Sequence, residues 1–227
     1  RELLPHTDGR MTVCESLGRY FERNYDSRPF QTVHNVPSLR FLPDPQVLSR
    51  RNHPRRILYH GAYFVDRGLE EVMAAVRFVP QAQFIFRGSG VIEPHLRSLA
   101  EKHDVQRRVT FASPVEVDAL VASASESDIG LNPFPQACHN TQFALPNKFF
   151  EYMMAGLAIG STDLPELRML TDQLQVGILF ERCHPESFGV GLTKSRRNAY
   201  AAARDRFHWE HARGEMLSYY AAAISGS

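Results

Sequence analysis

The sequence is poor in cysteine, in net charge and in long apolar runs, and each shortage excludes a class of protein. Three cysteines among 227 residues are too few and too scattered for a disulfide framework, which favours a reducing, cytosolic setting. Twenty-six basic residues balance 25 acidic ones, so the overall charge gives no reason to expect nucleic acid as a partner. No apolar run approaches the roughly 20 residues that a membrane-spanning helix needs, so we expect an ordinary soluble globular protein.

Two Cys-His dipeptides, Cys138-His139 and Cys183-His184, could in principle supply four zinc ligands. The paired ligands of structural zinc sites usually stand about two to five residues apart, so that both side chains converge on the ion. Neighbouring residues of an extended chain point in opposite directions instead. We therefore expect two unrelated loop pairs and no metal site.

Short apolar runs alternate with amphipathic segments along most of the chain, and this alternation predicts the fold. The predicted strands are RRILYHG (55–61), AQFIFRGSG (82–90), RVTFAS (108–113), DIGLNPF (128–134), AIGST (158–162) and VGILFE (176–181). Segments with helical spacing of apolar residues follow them, as in 66–79 and 92–103. The sequence therefore predicts an α/β fold: a doubly wound, Rossmann-like parallel sheet with helices on both faces, whose ligand site lies at the carboxyl ends of the strands.

The two ends of the chain do not follow this alternation. The segment 12–25 predicts a strand end and a helix, and FQTVHNVPS (30–38) predicts a further strand. The stretch 40–56 is rich in proline and arginine, which is typical of a connection between two structural units. Residues 194–223 predict a long helical region that is broken near 207–209.

The segment ALPNKFFEYMMAG (144–156) places one glutamate, Glu151, inside an otherwise apolar helix. Pro146 suits the first helical turn and Gly156 suits the position just past the helix end. Free backbone N–H groups, the helix dipole and the charge of Lys148 make the front of this helix a candidate phosphate site. Farther along, the Glu151 carboxylate can accept hydrogen bonds from two adjacent hydroxyls. A solvated surface glutamate is the alternative that the periodicity leaves open.

Several segments together resemble the C-terminal, donor-binding domain of retaining GT-B glycosyltransferases of family 4, also described as glycosyl transferases group 1. In chain order they are LYHGAYFVDRGLEEVMAA, FIFRGSGVIEPHLRSLAEKHDVQRRVTFAS, SASESDIGLNPF, ALPNKFFEYMMAGLAIGSTDLPEL and FHWEHARGEMLSYY. The fourth is the most specific, because it resembles the LPNKxFEYmaaG variant found in a subset of these enzymes. The motifs cover about three quarters of the chain and follow the family's order.

The resemblance implies the following donor contacts. Glu151 would bind the ribose hydroxyls of a nucleotide sugar. Arg67 would neutralise the diphosphate, which an arginine fork can bind through two oxygens, and Gly61 would let its loop approach the ligand closely.

The remaining implied contacts involve backbone rather than side chains. The tip of the helix, at Pro146, Asn147 and Lys148, would hold the phosphates or the sugar. The end of a strand, at Phe111 and Ala112, would meet the base. Helix dipole and basic side chains replace a metal ion in this fold, so no metal or other cofactor is implied.

The sequence departs from the family pattern at two positions. Ala62 stands where the family usually has an arginine, so one phosphate contact is absent or supplied elsewhere. Phe143, eight positions before Glu151, stands where the commonest pattern has a second glutamate. His139 and Asn140 are candidates for part of its role towards the donor sugar, and functionless loop residues are the alternative.

The resemblance also divides the chain into a remnant of an N-terminal domain with the interdomain connection (1–54), a nucleotide-sugar-binding Rossmann-like domain (55–206) and a C-terminal crossing helix (207–227). GT-B enzymes place the acceptor on an N-terminal domain of roughly equal size, which 227 residues cannot also contain. We therefore expect a fragment or a natural half-enzyme that lacks its acceptor-binding partner domain. It should bind a UDP- or GDP-sugar weakly and transfer the sugar poorly or not at all.

The implied activity is transfer of a sugar from a nucleotide sugar to an acceptor hydroxyl in surface glycan synthesis. Such a protein would lie in the cytoplasm or at the inner face of the membrane, where it could meet a membrane-associated acceptor. A non-catalytic half that docks onto another chain is an alternative, which exposed apolar surface on 14–25 and on the helix from Trp209 would favour. A sugar-nucleotide epimerase is a further alternative, but the LPNKFFEYM helix argues against it.

Overall fold

A six-stranded parallel sheet forms the centre of the computed structural model, which describes residues 4–25, 28–49, 55–134, 139–180 and 192–225. Its strands are β3 (Arg55–His60), β4 (Ala82–Arg87), β5 (Val109–Ala112), β6 (Ile129–Asn132), β7 (Ala158–Thr162) and β8 (Gly177–Phe180). The intervening helices are α2 (Leu69–Ala75), α3 (Glu93–Lys102), α4 (Val117–Ala124), α5 (His139–Gln142), α6 (Asn147–Met154) and α7 (Pro165–Leu174). The predicted doubly wound α/β fold is therefore confirmed.

The strand order is β5-β4-β3-β6-β7-β8, so the direction of winding reverses between β3 and β6. Ligands of open α/β sheets bind in the crevice at such a reversal, outside the carboxyl ends of the strands. The two strands pair in register at Ile57 with Ile129 and at Leu58 with Gly130. Beyond this point the backbone N–H of His60 donates to the hydroxyl of Tyr152, at 3.0 Å, instead of to β6. The sheet therefore opens at its carboxyl edge where the winding reverses.

Helix α6 packs in the core on one face of the sheet. Its buried residues are Phe149, Phe150, Tyr152, Met153 and Met154. The Tyr152 ring lies directly against the backbone of Gly130 in β6, and a methyl group at Gly130 would overlap that ring. Because β6 has glycine at this position, α6 approaches the strand closely and its polar residues lie near the carboxyl edge of the sheet.

A small second sheet precedes the main one. Strands β1 (Met11–Thr12) and β2 (Gln31–Thr32) are parallel and are joined through α1 (Glu15–Tyr25). The strand predicted over 30–38 is therefore much shorter than expected. The Val33 N–H still donates to the carbonyl of Thr12 at 2.8 Å, and the chain beyond it makes contacts outside the sheet. The Asn35 side chain donates to Asn147 at 3.0 Å, and Pro37, which has no N–H, accepts from Trp209 at 2.8 Å.

Two helices follow the sheet, α8 (Leu192–Asp205) and α9 (Trp209–Ser225), so the predicted break near 207–209 is present. Helix α8 is anchored by Arg196, whose side chain is buried. Its guanidinium donates to the carbonyls of Gly156 at 2.9 Å and Val47 at 2.7 Å and approaches the fully buried Asp128 at 3.4 Å. These bonds tie the carboxyl end of α6 to α8 and to the segment that precedes β3.

Candidate functional site

Glu151 of α6 lies beside His60, the last residue of β3. Oε2 of Glu151 is 2.7 Å from Nε2 of His60, and the glutamate side chain is 21% exposed whereas the histidine side chain is 4% exposed. Glu151 is therefore neither the freely solvated residue that the periodicity allows nor a core residue. It is a carboxylate at the surface of the crevice, with one oxygen bonded to the protein and the other able to accept from a ligand.

Lys148, one turn before Glu151 along α6, forms a cationic cluster with Arg67 from the loop that follows β3. The Lys148 ammonium is 4.0 Å from the ring centre of Tyr59 and 5.7 Å from that of Phe134, and the Arg67 guanidinium is 5.5 Å from the same Phe134 ring. Burial, reinforced by the charge of Arg67 and opposed by Glu151, lowers the pKa of Lys148 to about 7. The loop after β3 and the first turn of α6 thus bring together two basic side chains that can meet an anion.

Glycines let the loops after β3 and β4 pack closely beside this cluster. Gly61 has a φ of 129°, and a methyl group there would lie 3.1 Å from the Lys148 ammonium. Gly68 has a φ of 67°, and a methyl group there would overlap the carbonyl oxygen of Pro133. Gly90 lies against the backbone of Tyr63, which donates to the carbonyl of Ser89 at 2.9 Å. Glycine is therefore required by conformation at Gly68 and by close approach at Gly90.

Phe111 and Ala112 lie at the end of β5, the edge strand of the sheet. The Phe111 ring stacks on Phe86 with ring centres 5.6 Å apart, and the Arg97 guanidinium lies 4.3 Å from its centre. The carbonyl of Ala112 accepts from the N–H of Gly88 at 3.0 Å. These two residues are thus separated from the Lys148 cluster by β4, on the side of the crevice away from β6.

Pro146 and Asn147 begin helix α6. Pro146 is the residue before the first turn, in extended backbone geometry, and its carbonyl accepts from the N–H of Phe149 at 2.9 Å. Asn147 is exposed, and its side-chain oxygen accepts from Asn35. The segment between β2 and β3 therefore contacts the tip of the helix on which the resemblance places the phosphates.

The structure does not describe the side chains of the other candidate polar residues near this helix. The side chains of His139 and Asn140 are not among those described, and Cys138, Cys183 and His184 lie outside the described residues altogether. Within the described ranges no group of three or more His, Cys, Asp or Glu side chains is arranged to hold a metal ion. No helix in those ranges combines the length and the apolar character needed to cross a membrane.

Sequence reasoning missed His60. The hydrophobic pattern places it only at the end of a predicted strand, although a histidine that ends the apolar run ILY is a recognisable signal. Predicting its contact with Glu151 would have required the register of β3 against α6, which hydrophobic periodicity does not supply.

The doubly wound sheet with a cationic crevice at its reversal is the fold of one half of a GT-B glycosyltransferase. Residues 54–195 match the family described as Glycosyl transferases group 1. The chain belongs to this family. A comparison with curated proteins returned no match.

Solved structures with the same fold include three whose matches cover almost all of this chain. Sucrose-phosphate synthase from Thermosynechococcus elongatus is 17% identical with a TM-score of 0.79, and the match covers 100% of this chain and 61% of that one. Anabaena HepE in complex with UDP is 12% identical with a TM-score of 0.79, covering 97% of this chain and 65% of that one. A glycosyltransferase from Rickettsia africae is 13% identical with a TM-score of 0.73, covering 97% and 65%. The chain thus spans less than two thirds of the length of these proteins.

Proposed function

We propose that this chain is the nucleotide-sugar-binding half of a retaining glycosyltransferase of family 4. The observation that carries the proposal is the line of Lys148 and Glu151 along α6, with Arg67 beside it, at the crevice where the sheet reverses. Cations at a helix tip suit a diphosphate, and a partly exposed carboxylate about one turn farther suits the two hydroxyls of a ribose. This spacing of opposite charges matches the diphosphate and the adjoining ribose of a nucleoside diphosphate.

In the proposed reaction the bond between the sugar and the nucleoside diphosphate breaks, an acceptor hydroxyl attacks the sugar from the same face, and the hydroxyl proton passes to the departing diphosphate. Lys148 and Arg67 stabilise the negative charge that develops on the departing diphosphate. No residue of the described chain is assigned as an acid or base, because we propose that a separate N-terminal domain binds the acceptor. We further propose a membrane-associated acceptor in surface glycan synthesis and a place in the cytoplasm or at the inner face of the membrane.

The proposal is tested by calorimetric titration of the chain with UDP, GDP and ADP, together with Glu151→Ala. We expect saturable binding of one nucleotide and a loss of about tenfold or more in the variant, because one or two hydrogen bonds to a charged acceptor disappear. Glu101→Ala, an exposed carboxylate in α3, is the matched control and should leave the affinity unchanged. Absence of binding by all three nucleotides would overturn the proposal.

A non-catalytic half that docks onto another chain is the second candidate, and α9 favours it. Leu217 and Tyr220 lie three residues apart on this helix and are 53% and 47% exposed, and Trp209 at its start is 38% exposed. Apolar side chains on one helix face suit a partner surface. The two candidates are separated by the nucleotide titration, because a docking module without donor chemistry has no reason to distinguish UDP, GDP and ADP.

A further inference from the structure

His60 makes a hydrogen bond from the sheet to the Glu151 carboxylate, and the geometry of this bond indicates where the His60 hydrogen lies. An ionised carboxylate can only accept hydrogen bonds, so the His60 nitrogen 2.7 Å from Oε2 must carry the hydrogen. Burial lowers the pKa of His60, with Lys148 and Arg87 acting in the same direction and Glu151 opposing them. A neutral ring with its hydrogen on Nε2 has a lone pair on Nδ1.

The other side of the His60 ring belongs to a row of polar residues at the carboxyl edge of the sheet. Side chains two residues apart in a strand share a face. Ile85, Leu58 and Ile159 all pack in the cluster that contains α6, and Gly130 faces the Tyr152 ring. Two residues farther along each strand, on the same face of β4, β3, β6 and β7, the row consists of Arg87, His60, Asn132 and Ser161.

This row contains several buried polar atoms besides Nδ1 of His60. His60 is 3% exposed and Asn132 and Ser161 are both 0% exposed. Among the described residues no hydrogen-bond partner contacts Nδ1 of His60, either amide atom of Asn132, Oγ of Ser161 or Nε of Arg87. Buried polar atoms of this kind are normally satisfied through ordered water. A lone pair on Nδ1 can accept a hydrogen bond within this row. An N–H on Nδ1 would instead add a further donor near the Arg87 guanidinium.

We propose that His60 is a positioning residue that holds the Glu151 carboxylate in its ribose-binding orientation, with its own hydrogen on Nε2. This inference rests on the proposed function, because it concerns how the ribose clamp is oriented. Two contacts to Tyr152 hold His60 in place. The backbone N–H of His60 donates to the Tyr152 hydroxyl, and the centres of the two rings are 4.5 Å apart. One bond to Oε2 then leaves Oε1 directed to the ligand. Without it, the glutamate would have several rotamers to lose on binding.

The test compares His60→Phe and His60→Gln with the wild-type chain, using calorimetry with the nucleoside diphosphate that binds and with its 2′,3′-dideoxy form. Phenylalanine keeps a ring against Tyr152 but cannot donate to Glu151, whereas glutamine keeps an N–H donor. We expect His60→Phe to weaken the ribonucleotide about tenfold, to change the dideoxy form less than about twofold, and to be largely rescued in His60→Gln. His103→Phe, a histidine at the end of α3, is the control and should bind normally.

Equal weakening of both nucleotide forms by His60→Phe would show a packing role and overturn the proposal. No weakening of either form would overturn it as well, while the proposed function would stand if the wild-type chain still binds. If the wild-type chain binds none of the nucleoside diphosphates, the proposed function fails and the positioning role fails with it.

A second measurement does not depend on how well His60→Phe folds. Nitrogen-15 chemical shifts of the wild-type histidines at pH 7.5 distinguish a protonated ring nitrogen from one with a lone pair. We expect His60 to show its hydrogen on Nε2 and to shift in Glu151→Gln. A hydrogen on Nδ1, or a fully protonated ring at this pH, would contradict the assignment.

Discussion

The ammonium group of Lys148 lies 4.0 Å from the ring centre of Tyr59, a residue that is only 2% exposed. A cation held on an aromatic ring and partly shielded from water lacks the counter-ion that an exposed lysine finds in solvent. The negative charge of Glu151 acts to raise the pKa of Lys148 but does not offset the effect of burial, since this pKa still falls to about 7. An arriving diphosphate would supply the missing negative charge.

Lys148→Met should weaken binding of a nucleoside diphosphate about tenfold or more, because a buried charge-assisted contact is lost while the side-chain volume is kept. Binding of the matching nucleoside, which has no phosphate, should stay within about twofold of the wild-type value. Lys102→Met, an exposed lysine at the end of α3, is the control. A parallel loss for nucleoside and nucleoside diphosphate would show that Lys148 acts through folding and not through the phosphates.

The same lysine predicts how stability depends on pH. Its pKa is about 7 in the folded chain and 10.5 in the ordinary case, so between these values the unfolded chain binds more protons and the free energy of unfolding rises with pH. The charged form of Lys148 therefore destabilises the folded chain, and Lys148→Met should raise the free energy of unfolding. This increase should be largest at pH 7 and below. It should shrink by on the order of 1 kcal/mol per pH unit towards pH 10.

Urea unfolding of both proteins at several pH values measures this difference, and taking the difference removes the contribution of the other titrating groups. A difference that stays constant from pH 7 to pH 10 would mean that Lys148 titrates as an ordinary surface lysine.

Gly68→Ala should lower the free energy of unfolding by about 2 kcal/mol or more, because alanine disfavours the observed φ of 67° and its methyl group overlaps Pro133. Gly214→Ala is the matched control. Gly214 lies inside α9 with no atom within 4 Å of an added methyl group, so alanine should stabilise the chain by up to about 1 kcal/mol. Thermal unfolding of both variants should give shifts of opposite sign, and shifts of the same sign would contradict this account.

Arg196→Met should destabilise the fold by about 3 kcal/mol or more, because it leaves Asp128 buried without its cationic partner and two carbonyls without their donor. The exposed pair of Arg204 with Asp205 offers the comparison, since Arg204→Met should leave the stability nearly unchanged. Chemical denaturation measures both. A small effect of Arg196→Met would mean that α8 is held by apolar packing alone.

The sequence predicts the individual strands and helices of this fold well and the contacts between distant residues poorly. Local periodicity gives the strand at 55–60 and the helix around Glu151, because each pattern is complete within one segment. The sequence does not predict the shortness of the strand near Thr32, because the residues after it contact distant parts of the chain, as Asn35 contacts Asn147, 112 positions apart. The pairing of Glu151 with His60 was missed for the same reason, at a separation of 91 positions.

Only some of the residues that the resemblance assigns to donor binding lie close together. Gly61, Arg67 and Lys148 come together at one place, a result that depends on two loops and a helix meeting at the reversal of the sheet. Phe111 and Ala112 lie two strands away from that point, and their contact with a base remains a prediction. The sequence pattern cannot predict the lowered pKa of Lys148, because that pKa follows from burial against Tyr59 and Phe134.

The hydroxyl of Tyr152 takes the place of a strand carbonyl as the partner of the His60 amide. A side chain of α6 thereby completes a bond that a neighbouring strand would otherwise make, and the seam between β3 and β6 stays open without leaving an N–H unpaired. The carboxylate that contacts His60 and the hydroxyl that accepts from its amide belong to adjacent residues of one helical turn, Glu151 and Tyr152. A shift of this turn relative to β3 would therefore displace both groups together, whereas a substitution at Glu151 leaves the Tyr152 hydroxyl in place.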